Sequence, residues 1–394
     1  MKEVFLSSGA RSALGDFGGS LKNVEFTELA STVAKAALAK SGINPSVIDH
    51  IVFTTTCPTD KDSLFSARVV GMKTGLPESA AALDVSRACA SGLQAIISAG
   101  QQLQSGHSKL ALAAGAEMFS RAPYAVTTSR WGNARGNQEL EDILEWCYRC
   151  PFSLEYMGDT AENLAEKYQY DREDMDQYAV ASQSRALAAI ESGFLAKQIV
   201  PVTVTEGKSK KIFEIDEAPR EGITLERLAK LKPAFQEGGK VTAGNSSGVT
   251  DGAAALIVGD KDGFTQQGVT PEARVVDWAV VGVPPSLMGH GPVPAIRELL
   301  ERTELKIEDI DYFEINEAFA VVNLHAEKQL GIPRNKHNLY GGGISVGHPP
   351  GVTGLRMAMN GMQHLNETQG RYAVLSMCLG AGQGLAMLIE RVAN

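Results

Sequence analysis

Residues 81–103, AALDVSRACASGLQAIISAGQQL, join two sequence patterns that decide how the chain folds. The first five residues are small and mostly apolar, which is typical of a buried strand. Apolar side chains then recur at helical spacing, at Leu93, Ile96, Ile97 and Leu103. The stretch therefore predicts a strand that turns directly into a helix, with Gly92 easing the tight turn and Cys89 between the two elements.

Cys89 occupies a position with unusual electrostatics. The first turn of a helix presents unpaired N–H groups and the positive end of the helix dipole, and both lower the pKa of a nearby thiol. A fall of roughly two units from about 8.5 leaves most of the thiol ionised at neutral pH. We therefore interpret Cys89 as a candidate nucleophile. The alternative is that it only fills the gap between strand and helix, since cysteine is among the residues most often buried.

The composition indicates a globular protein and excludes some partners. The chain has 394 residues, of which 44% are hydrophobic and 21% charged, which suffices for a large core and two or three domains. A net charge of −9 argues against nucleic acid or an anionic membrane as the main partner. Apolar runs are shorter than a membrane span, and the first residues do not have the pattern of a targeting signal. We therefore expect a cytoplasmic protein.

Five cysteines are spread along the chain, at positions 57, 89, 147, 150 and 378. An odd, scattered set is unlike a secreted disulfide framework and fits a reducing compartment. Cys147 and Cys150 have the spacing of a metal-binding or redox pair, but no second pair or histidine cluster follows them. We therefore interpret this spacing as a coincidence within a surface segment.

Short apolar runs alternate with helical patterns, which predicts an α/β fold with a mainly parallel sheet. From about Arg121 to Lys240 the chain is more polar, and it contains one long helical pattern at 172–199. The strand pattern GAAALIVGD resumes at residue 252. We therefore interpret the intervening segment as an insertion carried on the first core domain.

Two stretches indicate an internal duplication. Residues 38–56 and 300–318 share one layout, in which a helix end is followed by a short connection, an Ile-Asp pair and a strand. If the halves are equivalent, Cys89 and Cys378 each precede a glycine-containing helix at equivalent strand ends. We therefore expect both cysteines to face one cleft.

Three further stretches carry reactive groups near turns. Asn316 lies in EINEAF, where it could be the N-cap of a helix that begins near Ala318. His348 lies in a glycine-flanked loop before the helix start GVTGLRMAM. Cys378 follows the strand pattern RYAVLSM and precedes LGAGQG, whose glycines allow backbone N–H groups to approach a bound atom. Taken singly, each of these residues could have a purely structural role.

Taken together, the motifs resemble those of the thiolases, the acetyl-CoA acyltransferases that make or cleave 3-ketoacyl-CoA. The resemblance covers nearly the whole chain, from SGARSALGDFGGSL to CLGAGQGLAMLIER, and includes CASGLQAI, YMGDTAEN, VTAGNSSGVTDGAAA, GPVPA, NEAFA and GHPPGVTG. It implies the α/β thiolase fold, a duplicated five-layered αβαβα core. The implied domains are 1–268, with an inserted loop domain at about 119–249, and 269–394.

The resemblance also implies a role for each reactive group. Cys89 takes an acyl group from acyl-CoA as a thioester, and His348 moves the thiol proton. Cys378 is the second acid or base, acting at the α-carbon of the incoming acetyl-CoA. Asn316 holds a water that forms one oxyanion hole with His348, and the backbone N–H groups of Cys89 and Gly380 form the other.

The inserted segment is implied to bind coenzyme A, which serves as substrate and product, without a metal or a further cofactor. The matching positions are Met157, Arg220, Phe235, Ala243, Gly244 and Ser247. The chain departs from the family pattern at Tyr156, Arg227, Tyr340 and Pro350. These departures affect the acyl-chain preference and the CoA contacts rather than the reaction class. The family also implies a homodimer or homotetramer.

The implied function is the formation and cleavage of acetoacetyl-CoA, and the alternative is a 3-ketoacyl-CoA thiolase of broader chain length, as in β-oxidation. A decarboxylating ketoacyl synthase of the same superfamily is disfavoured, because that group generally lacks a cysteine at the position of Cys378. A non-catalytic acyl-CoA- or lipid-binding relative should have lost Cys89, His348 or Cys378, and all three are present. A Cys–His hydrolase would leave the CoA-type insertion unexplained.

Overall fold

The structure of the protein is a computed structural model that describes residues 2–132 and 135–393. Strands alternate with helices up to residue 117, as the sequence predicts. The elements are β1 (Val4–Ser12), β2 (Gly15–Asp16), α1 (Phe26–Ser41), β3 (His50–Thr54), α2 (Ser66–Thr74), β4 (Ala81–Val85), α3 (Ser91–Gln104) and β5 (Leu110–Glu117). Cys89 lies between β4 and α3, where the sequence places it.

The predicted insertion begins after β5. Its elements are β6 (Tyr124–Ala125), β7 (Glu141–Asp142), α4 (Ile143–Tyr148), α5 (Met157–Tyr168), α6 (Arg172–Glu191), β8 (Ile199–Val200), β9 (Val202–Glu206), β10 (Ser209–Phe213) and α7 (Leu225–Leu228). Helix α6 accounts for most of the helical pattern expected over 172–199. Strands β9 and β10 form a hairpin, whereas β8 pairs with β1, so the insertion also touches the main sheet.

The rest of the chain returns to alternating strands and helices. Its elements are β11 (Thr250–Gly259), α8 (Lys261–Gln266), β12 (Ala273–Gly282), α9 (Pro292–Thr303), β13 (Tyr312–Ile315), α10 (Ala320–Leu330), α11 (Pro350–Thr368), β14 (Tyr372–Leu379) and β15 (Gln383–Arg391). Every residue of β11 is buried, which fits the continuous apolar run GAAALIVG in that strand.

The two halves contain sheets of matching topology. The strand order is β4-β3-β5-β11-β1 in the first half and β13-β14-β15-β12 in the second. Strand β3 is parallel to β5 as β13 is to β14, and the remaining matched pairs in both sheets are antiparallel. The expected mainly parallel sheet was therefore wrong, because β1, β11, β12 and β15 join the sheets through antiparallel pairs. This match confirms the duplication inferred from 38–56 and 300–318. Strands β1 and β12 pair with each other and join the two sheets.

Helices complete five layers in the order α, β, α, β, α. Helices α1 and α2 pack against the first sheet, α9 packs against the second, and α3 and α11 pack against each other between the sheets. Where α3 and α11 cross, a Cβ on Gly92 would lie 2.8 Å from the backbone nitrogens of Gly354 and Leu355. Gly92 therefore permits close helix packing, and it does not lie in the turn where the sequence analysis placed it.

In the duplicated halves, Cys89 does not correspond to Cys378, contrary to what the sequence led us to expect. Cys89 precedes α3, and the residue in the corresponding place before α11 is His348. Cys378 lies inside β14 instead, and the chain after it runs through a hairpin turn at 380–382 into β15. The expected helix after Cys378 was wrong, because a glycine-rich hairpin turn and a glycine-rich helix start have similar compositions.

Strand β4 differs from the expectation of a buried strand. Its first four residues, 81–84, are exposed, and β4 is the end strand of the sheet. The strand forms as predicted, but one side of it has no neighbour among the described residues of this chain. Within those same ranges, no helix is both long and apolar enough to cross a bilayer.

Candidate active site

A cleft of about 490 Å³ opens between the middle helix layer and the insertion. Its walls come from the segments that precede α3 and α11, the β14–β15 turn, helices α4 and α5, and the segments 235 and 246–249 of the insertion. Most of the lining side chains are apolar, and they include Phe119, Tyr148, Met157, Phe235, Met288 and Phe319. Cys89 and His348 line the same cleft.

Cys89 is half-buried in the cleft, one residue before the N-cap of α3. The preceding residue, Ala88, has a φ of 45°, a left-handed conformation that costs about 1 kcal/mol for a residue with a Cβ. This turn presents the sulfur to the backbone N–H groups of Cys89 itself and of Gly380, which both hydrogen-bond to it. Two converging N–H groups beside a thiol are the arrangement that an acyl oxygen on that sulfur requires.

Burial raises the pKa of the Cys89 thiol, and the N–H groups of Gly380 and Cys89 offset only part of this increase. The negative charge of the buried Glu117 carboxyl acts in the same direction as burial. The lowered pKa that the sequence predicted is therefore wrong for the free protein, since loss of solvent outweighs the helix-end donors. Cys89 is a neutral thiol at neutral pH and requires a base to become a nucleophile.

His348 is buried, and its hydrogen bonds fix the position of its proton. The hydroxyl of Thr353 donates to the carbonyl of Pro349 at 3.0 Å, so the same hydroxyl oxygen accepts from Nδ1–H of His348 at 2.7 Å. The Nε2 atom is then unprotonated and accepts from the side-chain amide of Asn316 at 3.2 Å. Burial lowers the pKa of His348 to about 3, with a smaller contribution from Arg356. The imidazole is therefore a neutral base with its lone pair on Nε2.

Asn316 follows β13, and its backbone N–H donates to the carbonyl of Ser376 at 2.9 Å. The predicted N-cap role was wrong, because α10 begins at Ala320 and Phe319 is its N-cap. The amide oxygen of Asn316 is buried and unpaired among the described residues. A buried unpaired acceptor beside His348 is consistent with the water site that the sequence resemblance implies.

Gly380 begins the turn between β14 and β15. A Cβ at this position would lie 3.2 Å from the terminal methyl carbon of Met157, which is tighter than an ordinary contact. The following residues Ala381 and Gly382 have φ values of 66° and 84°, so the chain reverses within these few residues. The turn thereby exposes the N–H of Gly380 to the sulfur of Cys89.

Cys378 is fully buried and does not line the cleft, so the expectation that both cysteines face one cleft was wrong for Cys378, which lies inside β14 behind the cleft wall. Burial raises the pKa of its thiol strongly, and a negative charge on Cys89 would raise it further. This electrostatic interaction requires the two sulfurs to be near each other. The structure thus brings Cys89, Gly380, His348, Asn316 and Cys378 together around one end of the cleft, although their catalytic roles remain predictions.

The six residues that are predicted to contact CoA lie in different parts of the structure. Met157, Phe235 and Ser247 line the cleft. Ala243 and Gly244 lie outside its lining, in the segment that leads to Ser247. Met157 also packs against the cluster of buried side chains that contains Cys378. These residues are therefore placed to contact the end of a ligand that reaches Cys89.

Arg220 lies apart from the cleft lining, on the segment before α7. Its side chain is exposed, and its guanidinium lies 4.0 Å from the carboxylate of Asp16. Arg227, which departs from the family pattern, donates to the carbonyl of Gly222 at 2.7 Å. Both arginines are therefore accessible cations on one stretch of the insertion, which suits a phosphate-bearing ligand.

The other departures have separate environments. Tyr156 and Pro350 line the cleft, and the Tyr156 hydroxyl donates to Glu145 at 2.7 Å. Tyr340 packs elsewhere, with its ring stacked on Phe194 at a centroid distance of 3.4 Å. Only the first two can therefore alter the shape of the cleft directly.

Glu117 is a residue of the site that the sequence analysis missed. Its buried carboxylate accepts from the backbone N–H groups of Thr56 and Cys57, and from that of Gly351 at the start of α11. It therefore ties the loop after β3 to the helix that follows His348. The signal in the sequence was a glutamate at the end of an otherwise apolar strand, LALAAGAE. Thr353, five residues after His348, is a second residue of the site that was not predicted from the sequence.

The chain is similar to known proteins over its whole length. Residues 4–262 match the family model for the thiolase N-terminal domain, and residues 269–391 match that for the thiolase C-terminal domain. The chain is 42% identical over 392 residues to the beta-ketothiolase BktB of Cupriavidus necator, covering 99% of this chain and 100% of that protein. It is 40% identical over 395 residues to the mitochondrial 3-ketoacyl-CoA thiolase of Bos taurus, covering 100% and 99%.

Solved structures agree with this similarity. The crystal structure of the Bacillus anthracis acetyl-CoA acetyltransferase superposes with a TM-score of 0.96 at 41% sequence identity, covering 100% of this chain and 99% of that one. The five-layered fold expected from the sequence is therefore confirmed. Within residues 2–132 and 135–393, no group of three or more His, Cys, Asp or Glu side chains is arranged to hold a metal ion.

Proposed function

This chain belongs to the thiolase family, a family of acyltransferases, and we propose that it condenses two short acyl-CoA molecules reversibly through an acyl-Cys89 intermediate. The proposed reaction joins acetyl-CoA to acetyl-CoA, or to a short acyl-CoA, and yields acetoacetyl-CoA or another 3-ketoacyl-CoA plus CoA. The observation that carries this proposal is the pair of N–H groups, from Cys89 and Gly380, that converge on the Cys89 sulfur.

The first half-reaction uses the neutral thiol and the neutral imidazole. His348 Nε2 takes the thiol proton as the Cys89 sulfur attacks the carbonyl carbon of acetyl-CoA. The negative charge that develops on the carbonyl oxygen is stabilised by the N–H groups of Cys89 and Gly380. The carbon–sulfur bond to CoA then breaks, and His348 returns the proton to the departing CoA sulfur.

The second half-reaction forms the carbon–carbon bond. His348 Nε2 takes the thiol proton of Cys378, and the Cys378 thiolate then removes an α-proton from the second acetyl-CoA. The protonated Nε2 and a water on Asn316 donate to the enolate oxygen, which suits the unpaired amide oxygen of Asn316. The enolate attacks the acetyl carbonyl on Cys89, and the Cys89 sulfur leaves and takes the proton back from His348 as 3-ketoacyl-CoA forms. Because burial raises the pKa of Cys378, its thiolate is a strong base for a weakly acidic α-proton.

Trapping the intermediate tests this proposal. Incubation with acetyl-CoA, followed by acid quench and tryptic digestion, should place an acetyl group on the peptide 88–109, which contains Cys89. Cys89→Ser should carry no acetyl group and should lose nearly all turnover, since a serine hydroxyl has a far higher pKa than a thiol. An acetyl group on the peptide of another cysteine would refute the assignment.

A second candidate is a thiolase of broader chain length. The mostly apolar cleft of about 490 Å³ favours it, because an apolar wall accepts additional methylene groups at little cost. The names of the similar proteins also span acetyl-CoA and general 3-ketoacyl-CoA substrates. Thiolysis kinetics with 3-ketoacyl-CoAs of increasing chain length distinguish the two. A steep fall in kcat/KM beyond acetoacetyl-CoA supports the short-chain enzyme, and a flat profile supports the broader one.

We further propose a homodimer, and a homotetramer formed from it, in the cytoplasm. The exposed edge of β4 supports the dimer, because an edge strand with unpaired backbone groups readily pairs with a second copy. All five cysteines are free thiols, which suits a reducing compartment.

A further inference from the structure

A second pair of thiols meets beside the catalytic cleft. Cys57, in the loop after β3, is 1% exposed, and its thiol hydrogen-bonds to the thiol of Cys147 in α4. The two residues pack in one small cluster with Phe119 and Ile143. Cys147 is half-buried and lines the same cleft as Cys89. A small molecule that reaches Cys89 can therefore also reach Cys147.

The partner of Cys147 is not the nearby Cys150. Cys150 is buried, and its sulfur accepts hydrogen bonds from the backbone N–H groups of Phe152 and Ser153. The hydrogen bonds of the Cys150 sulfur therefore involve its own loop rather than Cys147. The contact between Cys57 and Cys147 joins the insertion to the first sheet, and no sequence spacing reveals it.

The four thiols around the cleft differ in their tendency to ionise. The contact between the two thiols lowers the pKa of Cys147 and raises that of Cys57, whose S–H points to the carbonyl of Pro58 at 4.0 Å. Burial raises the pKa of Cys89 and of Cys378. Oxidants attack thiolates rather than thiols. Among these four thiols, Cys147 therefore combines access from the cleft with the greatest thiolate character.

We propose that Cys147 and Cys57 form a modification site for peroxides, at which the pair becomes a disulfide before Cys89 is oxidised. The Cys147 thiolate attacks hydrogen peroxide, which breaks the O–O bond and gives a sulfenic acid and hydroxide. The Cys57 sulfur then attacks the Cys147 sulfur, the S–O bond breaks, and the Cys57 proton leaves with the hydroxyl as water. The two thiols lose two electrons together, peroxide is reduced to water, and a thiol reductant reverses the change.

The location of the pair gives the modification a route to the catalytic groups. The backbone N–H of Cys57 donates to Glu117, whose carboxylate also accepts from Gly351 at the start of α11. Tyr148, the neighbour of Cys147, lines the cleft. A disulfide would therefore fix α4, and with it one wall of the cleft, to the loop that Glu117 holds next to the His348 segment.

Tryptic digestion can show which cysteines are joined, because each of the five cysteines lies on a different tryptic peptide. The expected peptides are 41–61 with Cys57, 88–109 with Cys89, 136–149 with Cys147, 150–167 with Cys150 and 372–391 with Cys378. The wild-type protein is treated with increasing hydrogen peroxide, unfolded in denaturant with iodoacetamide, and digested without reductant. This measurement does not depend on turnover, so it succeeds or fails independently of the proposed reaction.

At low peroxide we expect a cross-linked peptide that joins 41–61 to 136–149, while peptide 88–109 is still fully alkylated. Treatment of the oxidised protein with dithiothreitol before digestion should remove the cross-link. The proposal is overturned if Cys147 becomes sulfinic or sulfonic acid while Cys57 remains alkylated. It is equally overturned if the Cys89 peptide loses its label first, or if the main cross-link contains Cys89.

Two serine variants provide matched controls. Cys57→Ser should give no cross-link and should leave Cys147 as a sulfenic acid, which a sulfenic-acid-specific label such as dimedone detects. Cys150→Ser should form the same cross-link at the same peroxide concentration as the wild type. If Cys57→Ser does not fold, the peptide map of the wild type alone shows whether Cys57 and Cys147 form a disulfide before Cys89 is oxidised.

Discussion

The chemistry of His348 depends on the hydroxyl group of Thr353. This hydroxyl donates its only proton to the carbonyl of Pro349, so it can only accept from Nδ1 of His348. The lone pair of the imidazole is thereby kept on Nε2, where Asn316 donates to it. Thr353 is therefore a positioning residue that determines which ring nitrogen of His348 is unprotonated.

Thr353→Val keeps the shape of the side chain and removes the hydroxyl. We expect kcat to fall by about tenfold, the factor that corresponds to one hydrogen bond of roughly 1.4 kcal/mol, with little change in KM. Thr353→Ser is the matched control and should retain most of the activity. A fall in thermal stability with kcat unchanged would show that the hydroxyl matters only for packing.

The pH dependence of Cys89 alkylation tests its pairing with His348. Burial raises the pKa of the thiol, so labelling by iodoacetamide should rise with pH and reach its midpoint above the usual 8.5 or so. In the wild type, His348 can accept the thiol proton as the sulfur attacks iodoacetamide, which provides a route to labelling below that midpoint. His348→Asn removes the base, so labelling at pH 7 should slow and the midpoint should move upward. An unchanged profile would mean that His348 is not the partner of Cys89.

Individual residues could be predicted where a motif fixes their chemistry. Cys89, His348 and Cys378 were singled out by motifs that together resemble those of the thiolases, and the structure brings them near one another, while their catalytic roles stay predictions. The pKa of Cys89 could not be predicted, because it depends on the solvent that the insertion excludes. The contact between Cys57 and Cys147 could not be predicted either, because it joins residues from distant parts of the chain.

Helices α3 and α11 bring Cys89 and His348 to one cleft, because each residue precedes one of these two packed helices. Gly92→Ala tests the closeness of this packing. Alanine is a better helix former than glycine, yet its Cβ would lie 2.8 Å from backbone nitrogens that cannot rotate away. We expect the clash to dominate and the free energy of unfolding to fall by roughly 1–3 kcal/mol.

Denaturant unfolding of Gly92→Ala and of a control variant measures this effect. Gly282→Ala is the control, because a Cβ there would meet no atom within 4 Å. The control should unfold at nearly the same denaturant concentration as the wild type. Equal or greater stability of Gly92→Ala would contradict the account of how the two helices cross.

The sequence patterns predicted the secondary-structure elements better than they predicted which residues correspond between the two halves of the chain. The alternation of strands and helices and the duplicated stretches 38–56 and 300–318 were predicted correctly, whereas the mainly parallel sheet was not, and the bounds of the insertion stay a prediction. The pairing of Cys89 with Cys378 was wrong, because local composition does not distinguish a hairpin turn from a helix start. The true counterpart of Cys89 is His348, and only the matching strand order reveals this.

The exposed β4 strand is the main feature of the molecule that one chain leaves unexplained. If a second copy pairs with it, a charge on its apolar residues should weaken the dimer, because the charge would be buried. Leu83→Lys changes such a residue, whose exposure in the single chain is 36%. Sedimentation should show this variant dissociating at higher concentrations than the wild type.

Ile212→Lys is the control for this experiment, because Ile212 is exposed on the separate β9–β10 hairpin. It should leave the association unchanged. A wild-type protein that sediments as a monomer at all concentrations would contradict the proposed dimer.

The proposed reaction divides its two half-reactions between two cysteines. Because Cys89 would carry the acyl group and Cys378 would move the α-proton, the half-reactions should separate in Cys378→Ala. Acyl transfer requires Cys89, His348 and the N–H of Gly380, all of which this variant retains. Condensation requires the base that it lacks, and such a group typically contributes about 10² to 10⁴ in rate.

The most direct measurement follows both steps in one Cys378→Ala sample incubated with acetyl-CoA in deuterated water. We expect the acetyl group to appear on peptide 88–109 as in the wild type, while acetoacetyl-CoA formation and exchange of the acetyl methyl protons both fall by at least about 10². Condensation and proton exchange within tenfold of the wild-type rates would show that Cys378 is not the base and is only a packing residue.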